Sequence, residues 1–429
     1  MAMGTPNKLF FSRDTKMFVK VGTFFWEIPV LDGFSFSQGN NTTEVTLNEA
    51  QDSSGNSKRA RQLFNDSLAP GEWSFSTYVR PFTAAGAAQG TGSADPAAEV
   101  HAVEEVLWAL MAGADNYGSA AYDKGGSAVL TPGNSNMTVS FGQSNVAQLS
   151  TFNLYFVLGD ANRTVMKLDG CVVGEASIDF DIDGIATIAW SGNAANVVDF
   201  TGSTITATSA PAFNATTADG TTIAVGDVFL DSDNGHKLQI VTVKPGSGNV
   251  TLGSYINEAI TSTSNFIRNR LTVLTVTPTT QDPDSDSVKE LESSYSLTLT
   301  GGNVTISNNI TFIVPEELGI VNVPIGHVTG TRNVSGSFTC YLTEDTGTTN
   351  ASRDFFEDLR AITNVVTNSF ALVFKIGGAT GTGLELNMAT SHVEIPTHSI
   401  EDVISLETNF QALPSTIDGT NEVALTYRP

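Results

Sequence analysis

Two stretches of this chain, 150–194 and 368–412, are versions of one 45-residue pattern, so the chain must build the same unit twice. They align without a gap. Phe152, Leu154, Phe156 and Leu158 match Phe370, Leu372, Phe374 and Ile376. Gly159 matches Gly377 at the turn, and Leu168 matches Leu386 on the return. Further on, Ile182, Ile185 and Ile188 match Ile400, Val403 and Leu406. Earlier parts repeat in the same order: SFSTYVR from Ser74 matches SFTCYLT from Ser337, and 105–113 matches 354–362. Chance alternation can imitate one such segment, but not four in order.

Within each copy the apolar residues recur at every second position, the signature of strands with one buried face. Phe152 to Leu158 alternate with Asn153, Tyr155 and Val157, and Ile178, Phe180 and Ile182 alternate with Asp179, Asp181 and Asp183. Residues 272–277 and 295–299 show the same period. Helical spacing occurs twice. The first stretch is about 96–112, with Asp95 before Pro96 as a start and Gly113 as a stop; the second is about 352–362, with Phe355, Phe356 and Leu359 on one face. Copy one is expected to span 1–200 and copy two 287–429. Between them, 201–286 reads as a small inserted β module, ending in the acidic linker QDPDSDS.

Charged residues make up only 15% of the chain, and Gly, Ser, Thr, Asn and Val fill the difference, a mixture that favours strands over surface helices. The balance of 21 basic against 45 acidic residues, −24 in all, is the wrong sign for neutralising phosphates or binding an anionic membrane. Residues 1–10 lack a basic segment followed by an apolar one, and no apolar run reaches membrane-spanning length, so synthesis in a reducing cytoplasm is expected. Cys171 and Cys340 then read as small buried apolar residues.

No constellation for catalysis stands out. GxSxG, Walker A and a post-strand GxGxxG are absent, and the five histidines, of which His392 and His398 flank one short strand, do not form a ligand set. Asp179, Asp181 and Asp183 share one strand face, and Asp282, Asp284 and Asp286 lie in the linker. Either group offers calcium oxygens, but neither has the glycine and distal Glu of an EF-hand loop, so a solvated face is the better reading. No metal or cofactor is expected. One feature is unusual: 40–73 is a long polar excursion without an equivalent of that length in copy two, and it holds the one dense basic cluster, Lys58, Arg59 and Arg61. It reads either as a solvated hairpin or as an arm whose three cations contact a neighbouring subunit.

FSRDTKMFVKVG near the start, FSFSQGNNTTEVTLNEA followed by GEWSFSTYVRPF, and in the second half GTRNVSGSFTCYL, NSFALVFKIGG and HVEIPTHSIEDVISLETNFQALPS together resemble the tail tube proteins of long-tailed bacteriophages. The resemblance covers both copies but not the insert. It implies a mainly β chain: two tandem β-sandwich or barrel domains, each with one short helix, plus the small β insert. It also implies a structural virion protein of the tail, not an enzyme. In that family six such domains close a ring, and rings stack around the DNA path, so a duplicated chain implies homotrimeric, pseudo-sixfold rings. The implied partners are further copies of the chain and the tail terminator, baseplate and tape-measure proteins, with DNA passing without specific binding. Asp179, Asp181 and Asp183 are then candidates for an acidic channel wall, and Lys58, Arg59 and Arg61 for contacts between rings. A baseplate hub or distal tail ring, or a β-rich adhesin of Ig-like modules, is the alternative.

Overall fold

The computed structural model describes residues 10–45, 53–56, 62–85, 98–117, 122–142, 149–159, 164–201, 205–207, 227–231, 237–243, 251–253, 265–278, 294–315, 318, 323–344, 351–361, 370–417 and 419–429. The chain opens with strands β1 (Thr15–Val21), β2 (Phe24–Ile28), β3 (Ser35–Ser37), β4 (Asn40–Val45), β5 (Gln62–Leu68), β6 (Gly71–Tyr78), β7 (Pro81–Ala85) and β8 (Ala98–Ala102). Helix α1 (Glu105–Met111) precedes β9 (Tyr122–Lys124), β10 (Ser127–Thr131) and β11 (Met137–Ser140). Then come β12 (Phe152–Leu158), the long β13 (Thr164–Asp181), β14 (Thr187–Ala194) and β15 (Asn196–Asp199). A small sheet holds β16 (Ile205–Ala207), β17 (Val228–Asp231), β18 (Lys237–Val243) and β19 (Thr251–Gly253). The second half has β20 (Val273–Pro278), β21 (Tyr295–Leu297), β22 (Leu299–Ser307), β23 (Ile310–Ile313), β24 (Gly326–Thr329) and β25 (Asn333–Tyr341). Helix α2 (Ser352–Ala361) leads to β26 (Phe370–Ile376), β27 (Gly383–Val393), β28 (Thr397–Ser399), β29 (Ser405–Ala412) and β30 (Ala424–Arg428). Strands dominate, as expected.

The repeat is reproduced ladder by ladder. In copy one the order β2–β1–β12–β13 is antiparallel throughout, and in copy two β21–β20–β26–β27 repeats it. Val19 lies opposite Leu154 as Val276 lies opposite Leu372, and Ser74 opposite Ser191 as Ser337 lies opposite Asn409. Both hairpins carry a bulge at the same place, between Phe152 and Leu154 and between Phe370 and Leu372. The register also corrects the gapless match. Five residues (159–163) join Leu158 to its partner Thr164, but seven (377–383) join Ile376 to Leu384. Leu168 therefore corresponds to Met388, which faces Leu372 as Leu168 faces Leu154, rather than to Leu386. A shift of two is one strand period, so it leaves every side chain on its own face. Strand β20 falls in the stretch read from sequence as insert, yet it holds the place in copy two that β1 holds in copy one.

β13 and β27 each run through two sheets. Residues 164–171 of β13 pair with β12, and 172–179 pair with β14. β27 likewise leaves β26 and reaches β29 at Ser391. Strands that change sheets make the corners of a sandwich. The outcome is one central sheet, β3–β6–β14–β13–β22–β25–β29–β28, shared by both copies, with an outer sheet over each half. Apolar faces meet in one continuous core: Trp73 lies 5.9 Å from Phe152, and Phe338 lies 6.3 Å from Phe374.

The helices fill the sandwich. Every side chain of α1 is buried, and Trp108 stacks edge-on against Trp190 at 4.7 Å. The helical spacing from about residue 96 misplaced its start. Residues 98–102 are a strand paired with β7, the helix begins at Glu105, and Asp95 and Pro96 lie outside the described residues. Gly113 does end the helix, at φ 87°, a left-handed angle that suits glycine. Both helices are started alike: the Ala102 N–H donates to Glu105 at 3.2 Å, and the Ala351 N–H donates to Asp354 at 3.1 Å.

The insert covers the face of copy one's outer sheet that looks away from the central sheet. There Val228 and Leu238 bury Phe18, Phe25, Tyr155, Val157 and Val165, which explains why Tyr155 and Val157 are buried despite sitting at the alternate positions. Copy two has polar residues at three of the matching places, with Val373 at the place of Tyr155. Thr275 stands for Phe18, and the Val157–Val165 pair is replaced by Lys375 and Glu385, an ion pair at 3.8 Å. Replacing 202–264 with a short Gly/Ser linker is therefore expected to raise binding of a hydrophobic dye and to lower solubility. Adding Phe18→Thr, Val157→Lys and Val165→Glu should restore both. A deletion that stays soluble and binds no dye would contradict this assignment.

Candidate assembly surfaces

The outward face of the central sheet is set by strand alternation. Along β13, Ile178 and Phe180 point into the core, while Glu175, Ser177, Asp179 and Asp181 point out. Glu175 lies between Ser191 and Ser307, and Asp179 between Thr187 and Asn303. The first row continues through Ser74, and the second through Ser337 and Asn409. Two shallow concavities in this face are lined by Ser35, Ser37, Ser74, Ser191 and Asn193 in one copy, and by Asn303, Thr305, Ser337, Asn409 and Gln411 in the other. Glu72 and Glu407 share the face, and the paired positions of the described strands on it bear no Lys or Arg.

Of the three acids singled out from sequence, Asp179 and Asp181 lie side by side on this face. Partial desolvation and then the charge of Asp181 raise Asp179 above its ordinary value. Asp183 lies beyond the end of the strand and pairs with Arg270 at 3.6 Å, so the alternation stops at Asp181. Lys58, Arg59 and Arg61 lie outside the described residues, as do Asp282, Asp284 and Asp286. The excursion that holds the basic cluster has its own hairpin, β4–β5, and copy two has a counterpart, β23–β24, at the same point of the pattern. That counterpart is shorter and was not legible, because residues 310–329 lack clean alternation. Among the described residues no three His, Cys, Asp or Glu converge as metal ligands, and no helix is long and apolar enough to cross a membrane.

The two copies meet along β13 and β22. Seven residue pairs run from Glu175–Ser307 to Asp181–Gly301, and the Ser177 and Thr305 hydroxyls are 3.0 Å apart. Gly302 leaves room for Phe180: a Cβ there would lie 2.9 Å from the ring and 2.5 Å from the Ser337 carbonyl oxygen. Asn308, buried, donates to the carbonyls of Met111 and Val173 and fastens copy two to copy one. At the two ends of the central sheet the corresponding edges are open among the described residues: β3 pairs with β6 on one side, and β28 with β29 on one side.

A second fastening is buried and titratable. β30, from the end of the chain, adds to β11 of copy one. Its Tyr427 accepts a bond from the Trp108 indole N–H at 2.6 Å and donates to Glu104 Oε1 at 2.8 Å. Burial pushes the Glu104 carboxyl up to about 7, against the hydrogen bond from Tyr427 and the charge of Arg80. Beside it, burial pulls the His101 imidazole down, but Glu105 at 3.0 Å outweighs that and raises it. Both shifts act in one direction. Above the unfolded carboxylate value the unfolded chain sheds the Glu104 proton while the folded chain keeps it, so stability falls as pH rises toward 7; the His101 contribution is lost at higher pH, above the ordinary imidazole value of 6.5 and through its raised folded one. Stability to denaturant should therefore fall by on the order of 3 kcal/mol between pH 5 and pH 8, and Glu104→Gln should remove most of that slope. An unchanged slope in the variant would show that Glu104 is not its source.

No protein-family model matches the chain. Over 421 residues, 96% of this chain and 74% of the relative, it is 28% identical to the tail tube protein pb6 of Escherichia phage T5. With a duplicated, mainly β architecture in place, the resemblance read from sequence is borne out: along nearly its whole length this chain is a relative of a bacteriophage tail tube protein.

Proposed function

We infer that this protein is a structural component of a phage tail, the ring-forming unit of its tube, and that its work is assembly rather than catalysis. The observation that carries the reading is the β13–β22 junction. Copy one presents an edge that copy two completes, and the outer edges of the pair are the same two edges again. One further use of the junction joins β28 of one chain to β3 of the next. Transferring the register places Thr397 opposite Ser37, where Ser177 faces Thr305, and Ile400 opposite Phe34, where Phe180 faces Gly302. Exposed Ile400 then gains an apolar neighbour. Closing the sheet this way removes its edges. Three chains supply six units, a homotrimeric pseudo-sixfold ring, with domains at about 1–200, 201–268 and 269–429.

In such a ring the open face of the central sheet lines the channel. Ser, Thr, Asn and Gln with Glu72, Glu175, Asp179, Asp181 and Glu407 give a polar, net negative wall. Rows of Lys would trap a duplex that carries one charge per about 1.7 Å. The insert, on the opposite side of the sandwich, lies outside the tube. Localisation is the virion tail, after synthesis in the host cytoplasm; the terminator, baseplate and tape-measure proteins are the further partners, and DNA passes without specific contacts.

Native mass spectrometry of purified rings should give three chains, and six full chains would sink the reading. Ser37→Cys with Thr397→Cys should cross-link chains on oxidation, while Ser177→Cys with Thr305→Cys should cross-link within one chain; a pair at 37 and 397 that stays reduced in assembled rings would rule out the register. Changing Glu175, Asp179 and Asp181 to Lys should make assembled rings retain duplex DNA at low salt and release it at high salt, whereas unmodified rings should not retain it. Retention by unmodified rings would refute the repulsive wall.

A further inference from the structure

Four strands stand side by side in the order β9–β10–β11–β30, three from copy one and the last from copy two. β30 also pairs with β27, so copy two's outer sheet continues through it into copy one. Leu425 lies opposite Leu386 on one side and Val139 on the other, and Tyr427 lies opposite Leu384 and Met137; all six are buried. Yet β30 has only five residues and follows an eleven-residue connection, 413–423. A short strand on a long tether can come away without the rest of the fold. The β13–β22 ladder and the Asn308 contacts do not involve it.

Two adjacent, fully buried carboxylates hold the outer strands of this row, and they are supported differently. Glu105 accepts from the Tyr122 hydroxyl of β9 at 2.8 Å and from the Ala102 N–H at 3.2 Å, with the His101 ring at 3.0 Å as a cation beside it. Glu104 accepts from the Tyr427 hydroxyl of β30 at 2.8 Å and from the Arg80 backbone N–H at 3.3 Å. The Arg80 guanidinium lies over the Phe266 ring at 4.7 Å and acts on Glu104 through its charge alone. Tyr427 in turn is bonded by Trp108 and feels the charge of Glu105. Among the described residues no Lys or Arg forms an ion pair with Glu104. A carboxylate buried without a cation in contact is costly when charged, and burial pushes Glu104 up to about 7. Lifting β30 takes away Tyr427 and admits water, which favours the charged form.

We propose that β30 is a pH-sensitive latch between the two copies: ionisation of Glu104 loosens this strand by itself, and the copies then stay joined along β13 and β22 but are no longer fixed at one angle. Glu105, with His101 beside it, keeps β9 seated on α1 while β30 lifts. The latch belongs to the single chain and does not depend on the ring reading.

Hydrogen exchange on the full chain, corrected for the intrinsic effect of pH on exchange, reads the opening of each strand. The β30 amides should exchange in a step of their own, less protected than those of β13 and β22 and exposing little surface in low denaturant. Between pH 5 and pH 8 their protection should fall by on the order of a hundredfold, for a carboxyl that ionises at 4.5 when open and at about 7 when closed. Glu104→Gln keeps an acceptor for Tyr427 and cannot ionise, so its β30 protection should stay level over the same range. A fall of equal size in that variant would overturn the proposal. So would β30 amides in the unmodified chain that exchange only together with β13 and β22, or whose protection does not change with pH; neither result needs the variant to fold.

Discussion

The ladder between β13 and β22 is the contact on which the rest depends. A sheet edge is a row of unpaired N–H and C=O groups, and a single tube-like unit would present one on each side. Duplication lets the chain satisfy one pair of edges internally, at a junction that also buries Phe180 against Gly302 and Phe374. The polar open face, the shared core beneath it and the strap of β30 across to β11 all presuppose that the two copies stand edge to edge in one sheet.

The strands were legible because their faces differ. Ser74 to Tyr78 and Ser337 to Tyr341 could be matched residue for residue, and their ladders bear out that match. The return strands were legible only modulo two: the longer connection before β27 displaced Leu168 from Leu386 to Met388, and an alternating pattern cannot register a slip of its own period. The start of α1 was misread because 98–102 carries Val100 at a spacing that suits a helix face and a strand face equally; pairing with β7 decides it. β20 was assigned to the insert because, like β1 with β12, it pairs with a strand far along the chain, so no continuous pattern ties it to β26. On the open face, Asp179 and Asp181 were readable from alternation, while Glu72 and Glu407 came together with them only through non-local pairing.

The copies differ where each meets something different. Phe18, Val157 and Val165 are apolar because β17 and β18 cover them, and Thr275, Lys375 and Glu385 are polar because the insert follows copy one alone. The buried polar set around Glu104 has no such twin: in copy two Arg353 and Asp354 stand at the corresponding positions, and Arg353 reaches out to Glu344 at 2.9 Å. Glu105 is held within copy one by His101 and Tyr122, but the buried Glu104 is held by Tyr427, a residue from the other end of the chain. Its cost in stability at neutral pH falls on the tie between copies.

The same comparison explains how the chain can carry open edges without pairing indiscriminately. β13 continues unbroken to Asp181, whereas the equivalent run in copy two is interrupted by Pro396 and resumes as the three-residue β28. At the other end of the sheet β3 is also only three residues long. Short edges and proline are the means by which strand edges are kept from arbitrary partners. A stray strand would find few bonds at either edge and no complementary side chains. In the proposed ring the matching edge of another copy brings Phe34 to Ile400, at the places that Gly302 and Phe180 hold in the internal junction. Selectivity at the outer edges then resides in side-chain fit more than in backbone bonding, while the internal junction, made once on folding, can use a full ladder of seven pairs.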